Sequence, residues 1–389
     1  MKHAKRLDLV PPYLFAEIDR KRNEAIAKGV DVINLGIGDP DLATPIGIVD
    51  AMKKALDNAE NHNYPPYDGT NEFKEASAKF YERRFNVKLD PKTEILAIIG
   101  SKEALAHLPL AFVDKDDYCL IPDPAYPVYK VATQFAGGIP YIMPLLEEDG
   151  FLPDLKKIPV DIAEKSKIMF LNYPNNPTGA MATREFYEDV VKFAKKYDIL
   201  VCSDIAYSEQ YYDDYKPLSI LEIEGAKDVC IELNSLSKSF NMTGWRIGFA
   251  GGNAQAIAAL GKIKNNMDSG VFKAIQHAGI EALNNSEKYT KEVTKVYQAR
   301  RDIVIDGLNS LGWNIKPAQA TFYIWFPVPK GYTSTEFATL MLEKAGIVIP
   351  PGIGYGEYGD KYVRIALTAS EARLKEAIQR MKDNNIRFA

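Results

Sequence analysis

Between residues 94 and 250 the chain repeats one pattern, in which short apolar runs alternate with longer stretches. The runs 94–99, 118–122, 167–171, 200–203, 229–233 and 247–250 read as strands, and 184–197 is an amphipathic helix between two of them. Strands that are apolar along their whole length are buried on both faces, and helical crossovers join parallel neighbours. The pattern predicts an α/β domain built on a mostly parallel sheet. Beyond it, 285–310 predicts a long helix leading away, then strands at 322–326, 347–349 and 362–367 and helices at 333–344 and 370–382. A chain of 389 residues exceeds one ordinary core. The expected division is a large α/β domain over 45–285 and a small α+β domain over 286–389, completed by the N-terminal segment 1–44.

Composition removes several classes. A net charge of −4, with lysines interspersed among glutamates, lacks the basic stripe of a nucleic-acid binder. No apolar stretch is long enough to span a bilayer, and the N-terminus has no signal-peptide core, so a soluble, cytoplasmic protein is expected. Cys119, Cys202 and Cys230 lie far apart in apolar stretches and read as buried free thiols. The histidines His3, His62, His107 and His277 do not form a metal-ligand pattern, and no metal is expected.

In an open parallel sheet, ligands collect beyond the carboxyl ends of the strands. Asp204 follows one predicted strand, and Asn176 follows another in the turn Pro174-Asn175-Asn176-Pro177-Thr178-Gly179. Gly100-Ser101-Lys102 follows a third and opens a helix, whose free N–H groups suit a phosphate. Lys238 follows a fourth, in Asn234-Ser235-Leu236-Ser237-Lys238-Ser239-Phe240. A lysine amine condenses with carbonyl compounds, and desolvation or neighbouring positive charge lowers its pKa towards neutrality. Ser235, Ser237 and Arg246 supply donors for a phosphate. A lysine that meets an aldehyde beside a phosphate site, with an acidic partner for a ring nitrogen, describes pyridoxal 5'-phosphate. Each residue alone has a plainer reading: a solvated lysine, a capping aspartate, a turn asparagine. Their convergence on one sheet edge weighs against coincidence. Gly36-Ile37-Gly38 is not a dinucleotide fingerprint, since Asp39-Pro40 follows in place of a helix.

These segments resemble those of the fold-type I pyridoxal-phosphate aminotransferases of class I/II, and within them the LL-diaminopimelate branch. The most specific match is Ser235-Leu236-Ser237-Lys238-Ser239-Phe240 followed by Gly244-Trp245-Arg246-Ile247-Gly248, with Asn176-Pro177-Thr178-Gly179 and Asp204-x-x-Tyr207 before it. Pro11-Pro12-Tyr13-Leu14-Phe15, Leu35-Gly36-Ile37-Gly38-Asp39-Pro40-Asp41 and Asp268-Ser269-Gly270-Val271-Phe272 point to the branch. The resemblance implies the fold-type I transferase architecture, a large domain with a seven-stranded, mostly parallel sheet and a small α+β domain.

It also implies roles. Lys238 is the Schiff-base lysine, Asp204 faces the pyridine nitrogen, and Tyr207 and Asn176 donate to the 3' oxygen. Tyr126 stacks on the ring. Ser101, Lys102, Ser235, Ser237 and Arg246 form the phosphate cup, although Lys102 stands where many relatives carry a small residue. Tyr64 reaches the phosphate of a neighbouring subunit in a homodimer with shared sites. Arg364 clamps the substrate's alpha-carboxylate beside the backbone of Ile37 and Gly38. An arginine centred in an apolar strand also calls for an anionic partner on its own account. Tyr13 and Phe15 form an apolar wall, and the segment 11–15 closes over substrate with the small domain.

The activity implied is ping-pong transamination between LL-2,6-diaminopimelate and 2-oxoglutarate, in lysine biosynthesis. Holding the alpha-carboxylate disfavours decarboxylation. An aspartate, alanine, aromatic or broad-specificity aminotransferase, a carbon–sulfur lyase and a non-catalytic cofactor-binding protein are the alternatives. Lys273, where relatives often have glutamine, bears on selectivity for the distal end of the substrate.

Overall fold

The computed structural model describes residues 1–10 and 14–388, and for 14–17 the backbone alone. Its strands are β1 (Ile33–Asn34), β2 (Ile95–Ile98), β3 (Tyr118–Asp123), β4 (Ile139–Pro144), β5 (Ser166–Asn172), β6 (Leu200–Asp204), β7 (Cys230–Ser235), β8 (Gly248–Gly252), β9 (Tyr323–Pro327), β10 (Ile347–Val348) and β11 (Tyr362–Ala366). Seven of them form one sheet in the order β2-β8-β7-β6-β5-β3-β4. Only β8 runs antiparallel to its neighbours, so β2, β3, β5, β6 and β7 all end at the same edge.

The sheet contains the six expected strands and one more, β4. Its sequence, Ile-Pro-Tyr-Ile-Met-Pro, carries prolines that cannot donate to a ladder. At the sheet edge only β3 needs pairing, so the prolines are tolerated there. Side chains alternate across the central strands. Ile231 and Leu233 enter one apolar layer with Leu105, Leu108, Tyr129 and Phe170. Cys230 enters the opposite layer with Phe73, Phe80, Tyr187 and Phe249. The cysteines are buried and free.

A further core joins Trp313, Phe322, Phe326, Phe337 and Met381 to Ile33 and Leu35 from the N-terminal part of the chain, and to Tyr207 and Tyr212. There β9 pairs antiparallel with β11, and β1 pairs parallel with β10. The helix Ser286–Ser310 reaches both regions, with Tyr289 in the sheet core and Tyr297 and Val304 in this one. Among the described residues no helix is long and apolar enough to cross a membrane.

Candidate active site

The shared sheet edge opens into a cavity of about 350 Å³. Lys238, Asp204, Tyr207, Ser101, Lys102, Tyr126, Asn176, Ser235, Ser237, Arg246, Ile37, Gly38 and Arg364 all line it, so segments spread over most of the chain converge there.

Lys238 lies in the short helix Leu236–Ser239, directly after β7. Its Nζ donates to the Gly38 carbonyl at 2.6 Å, and Gln210 Nε2 holds its backbone carbonyl at 2.9 Å. Burial lowers its pKa to about 8, helped by Arg364 and Arg246 and opposed by Asp39. A neutral, nucleophilic amine is therefore accessible close to neutrality.

Asp204 ends β6 and is 5% exposed. Burial raises its carboxyl to about 6, while Tyr129 Oη at 3.0 Å and the Ala206 N–H at 3.3 Å favour the charged form. Among the described residues no salt bridge meets this carboxylate, which leaves it suited to a ligand that brings a positive charge. The Tyr207 and Tyr323 hydroxyls share a hydrogen bond at 3.0 Å.

The phosphate-type donors gather at the other end. The helix Ser101–Phe112 starts behind Gly100, whose φ is +76°, and a side chain on Gly100 would run into the Arg246 guanidinium. Arg246 is fixed by the Thr243 and Ile99 carbonyls at 2.9 and 3.3 Å. Ser235 and Ser237 follow from the end of β7.

Arg364 sits in β11 and is 1% exposed. One arm donates to Asn176 Oδ1 at 2.8 Å, the other to the Gly36 carbonyl at 2.7 Å, and its plane lies over the Tyr323 ring at 3.9 Å. Asn176 is positioned in turn by Asn172, whose Oδ1 accepts from the Asn176 N–H at 2.8 Å while Nδ2 donates to the Asp204 carbonyl at 2.7 Å. The donor set therefore fits pyridoxal phosphate: a buried amine, a buried carboxylate lacking a cation, and a helix start with hydroxyls and an arginine.

Some residues fall elsewhere. Tyr64 is 84% exposed and does not line this cavity. Lys273 donates to the Glu60 carbonyl at 2.8 Å and does not line it either. Tyr13 lies outside the described residues, as do Pro11, Pro12 and the side chain of Phe15. Tyr129, Asn172, Thr243, Tyr323 and Asp39 line the cavity without having been singled out from sequence. Asn172 precedes Asn176 by one turn and was open to notice; Tyr129 and Tyr323 look like core aromatics. Away from the cavity, Glu103, His107 and Asp268 come together, and the buried Lys264 ammonium meets both carboxylates at 2.8–3.3 Å.

Comparison with known proteins gives a consistent result. The family described as aminotransferase class I and II matches residues 30–381. The "LL-diaminopimelate aminotransferase 2" of Trichormus variabilis is 61% identical over 100% of both chains. The LL-diaminopimelate aminotransferase of Aquifex aeolicus is 56% identical over 97% of this chain and 98% of its own. Among solved structures, substrate-bound BacF from Bacillus subtilis superposes with a TM-score of 0.96 at 37% identity, covering 100% of this chain and 99% of that one.

Proposed function

The chain belongs to the class I and II aminotransferases, enzymes that work with pyridoxal phosphate, and from that premise we propose that it transfers an amino group between LL-2,6-diaminopimelate and 2-oxoglutarate. One observation supports the amino donor: eight relatives 53–61% identical over 97–100% of the chain are named LL-diaminopimelate aminotransferases. The reading is of a cytoplasmic enzyme acting in lysine biosynthesis.

When bound, pyridoxal phosphate supplies an aldehyde carbon that takes up the amino group and a ring that withdraws electrons from the substrate's alpha carbon. Ser101, the Lys102 N–H, Ser235, Ser237 and Arg246 would hold its phosphate, and Tyr126 would take its ring. Asp204, buried and without a cation partner among the described residues, would hold a proton on its ring nitrogen. Tyr207 and Asn176 would donate to its phenolic oxygen, Asn176 through Nδ2 because Oδ1 already accepts from Arg364. Arg364 takes the alpha-carboxylate in its fork, so the C–H bond at the alpha carbon is the one exposed to attack. Lys238 Nζ removes that proton, favoured by its tether beside the carbon. In the net reaction the donor's alpha-amino group and alpha hydrogen exchange for the keto oxygen of a second oxo acid, with the water taken up in one half returned in the other.

We further read the chain as a homodimer with Tyr64 serving the neighbouring subunit. Supporting this, Tyr64 is exposed on a segment whose end is pinned, since Gln276 accepts from the Thr70 N–H at 2.7 Å and donates to the Val271 carbonyl at 2.6 Å. Domains over 45–285 and over 286–389 with 1–44 are supported by apolar cores that divide largely along those bounds, with Tyr207 and Tyr212 reaching into the second and Tyr289 into the first.

The test is a donor panel against 2-oxoglutarate, with LL- and meso-diaminopimelate, aspartate, alanine and aromatic amino acids. LL-diaminopimelate should give the highest kcat/KM. A tenfold advantage for aspartate or an aromatic, about 1.4 kcal/mol in transition-state binding, would move the enzyme to a general aminotransferase. Stoichiometric pyruvate from cystathionine would favour a lyase.

A further inference from the structure

Residues Leu35 to Asp41 form a strap along the cavity, where Ile37, Gly38 and Asp39 line the wall. Its first four backbone carbonyls are bound. Leu35 O accepts from the Ala366 N–H at 2.8 Å, Gly36 O from Arg364 Nη2 at 2.7 Å, Ile37 O from Thr368 Oγ1 at 2.7 Å and Gly38 O from Lys238 Nζ at 2.6 Å. Two of these donors, Arg364 and Lys238, are the groups that handle substrate, so the strap sets where both wait. A side chain on Gly38 would collide with the Tyr323 hydroxyl, which fixes how close the strap lies.

The far end of the strap is closed by charge. Asp41 receives both arms of Arg300, Nη1 on Oδ1 at 2.6 Å and Nη2 on Oδ2 at 2.8 Å. Arg300 is 5% exposed, projects from the helix Ser286–Ser310 and also donates to the Leu367 carbonyl at 3.0 Å, just beyond β11. It therefore ties the strap to the element that carries Arg364. Tyr297 Oη adds a longer contact to Asp41 at 3.4 Å.

We propose that Arg300 is a positioning residue for the transamination: through Asp41 it fixes the strap, and the strap fixes Lys238 and Arg364. The inference rests on the roles given above to Lys238 and Arg364. Arg300 does not line the cavity and touches no reacting atom.

Asp41→Asn tests it against a matched control. Arg301, the next residue on the same helix, is 3% exposed and pairs with Asp213 at 2.5 Å, away from the strap. Asp213→Asn breaks that pair, with Arg301 keeping Asp302 at 2.7 Å, and changes no strap residue. Asp41→Asn should raise KM for the amino donor about tenfold while kcat stays within about threefold. It should also move the half-point for cofactor capture by the cofactor-free protein below about pH 8. Gly38 O and Asp39 both favour protonated Lys238, against Arg364 and Arg246, and a loosened strap withdraws them. Asp41→Glu should recover part of both effects, and Asp213→Asn should show neither. Arg300→Lys, which keeps the charge and loses the fork, is read the same way if Asp41→Asn does not fold. Wild-type KM and half-point in the strap variants, or equal changes in Asp213→Asn, overturn the proposal. Lys238→Ala that still captures cofactor covalently, or Arg364→Lys with unchanged KM, would instead overturn the site reading beneath it.

Discussion

Tyr129 donates its phenolic hydrogen to Asp204 Oδ2 at 3.0 Å, across 75 positions of sequence. The bond opposes the burial that pushes Asp204 up to about 6. Tyr129→Phe should let Asp204 climb further and weaken cofactor binding about tenfold, since a hydrogen bond to a charged group contributes about 1.5–3 kcal/mol. Asp204→Asn should cost far more, because it removes the charge itself. Cofactor titration of the cofactor-free protein and kcat/KM measure both. Wild-type values in Tyr129→Phe would show that the bond does not tune the carboxylate.

Lys238 has its amine held down to about 8 by burial first, then by Arg364 and Arg246. Only the neutral amine attacks an aldehyde, so the rate of cofactor capture should rise with pH through about 8 and level off above it. Stopped-flow absorbance reads this rate directly. Lys238→Ala should lose the pH-dependent phase and sustained turnover together. A capture rate independent of pH across that range would refute the assignment.

Glu232 is buried in β7, accepting from the Ser219, Ser203 and Tyr81 hydroxyls at 2.5, 3.0 and 3.2 Å and from the Ile220 N–H at 3.1 Å. Burial raises it to about 7, as it raises Asp204 to about 6. Both folded values lie above the ordinary carboxyl range of about 4. The folded state therefore keeps protons that the unfolded chain has released. Their contribution to stability is full below about pH 4 and is lost as pH rises through about 6 and about 7. Carboxylates held low by arginine, such as Asp31 and Glu376, lose theirs only at the acid end. Urea unfolding of the cofactor-free protein should show higher stability near about pH 5 than near about pH 8. Glu232→Gln should flatten the upper part of that decline. A rise in stability over the same window would contradict the account.

Tyr64 stands 84% exposed, outside the cavity of its own chain. If it completes the neighbour's phosphate site, Tyr64→Phe should weaken cofactor retention by about tenfold, the lower end of about 1.5–3 kcal/mol for a bond to a charged group. Activity should also fall on dilution in step with dissociation of the dimer. Light scattering beside an activity assay makes the comparison. A fully active monomer would rule out a shared site.

The strands of the sheet were legible because each is a local apolar run, and burial on both faces leaves that mark in any window of sequence. β4 was missed because an edge strand needs only one paired side and so admits prolines, which in a local reading argue for a turn. Lys238, Asp204, Asn176 and Arg364 were legible because their chemistry is conspicuous at a strand end or inside an apolar strand.

Residue type and local periodicity, both written along the chain, determined the α/β class, the sheet edge that would hold a ligand and the chemistry of its cofactor. Partners were decided only by tertiary packing. The chain has 22 tyrosines, and none of its local patterns marks Tyr129 as the one beside Asp204 or Tyr323 as the one under Arg364. Those places depend on how the helix Val128–Ala136 docks on the sheet and how β9 pairs with β11. The Gly38 carbonyl meets Lys238 across 200 positions, and Asp41 meets Arg300 across 259. Hydrogen bonds and ion pairs act over a few ångströms of space, whatever the distance along the chain, so such pairs come into being only when the separate cores have closed.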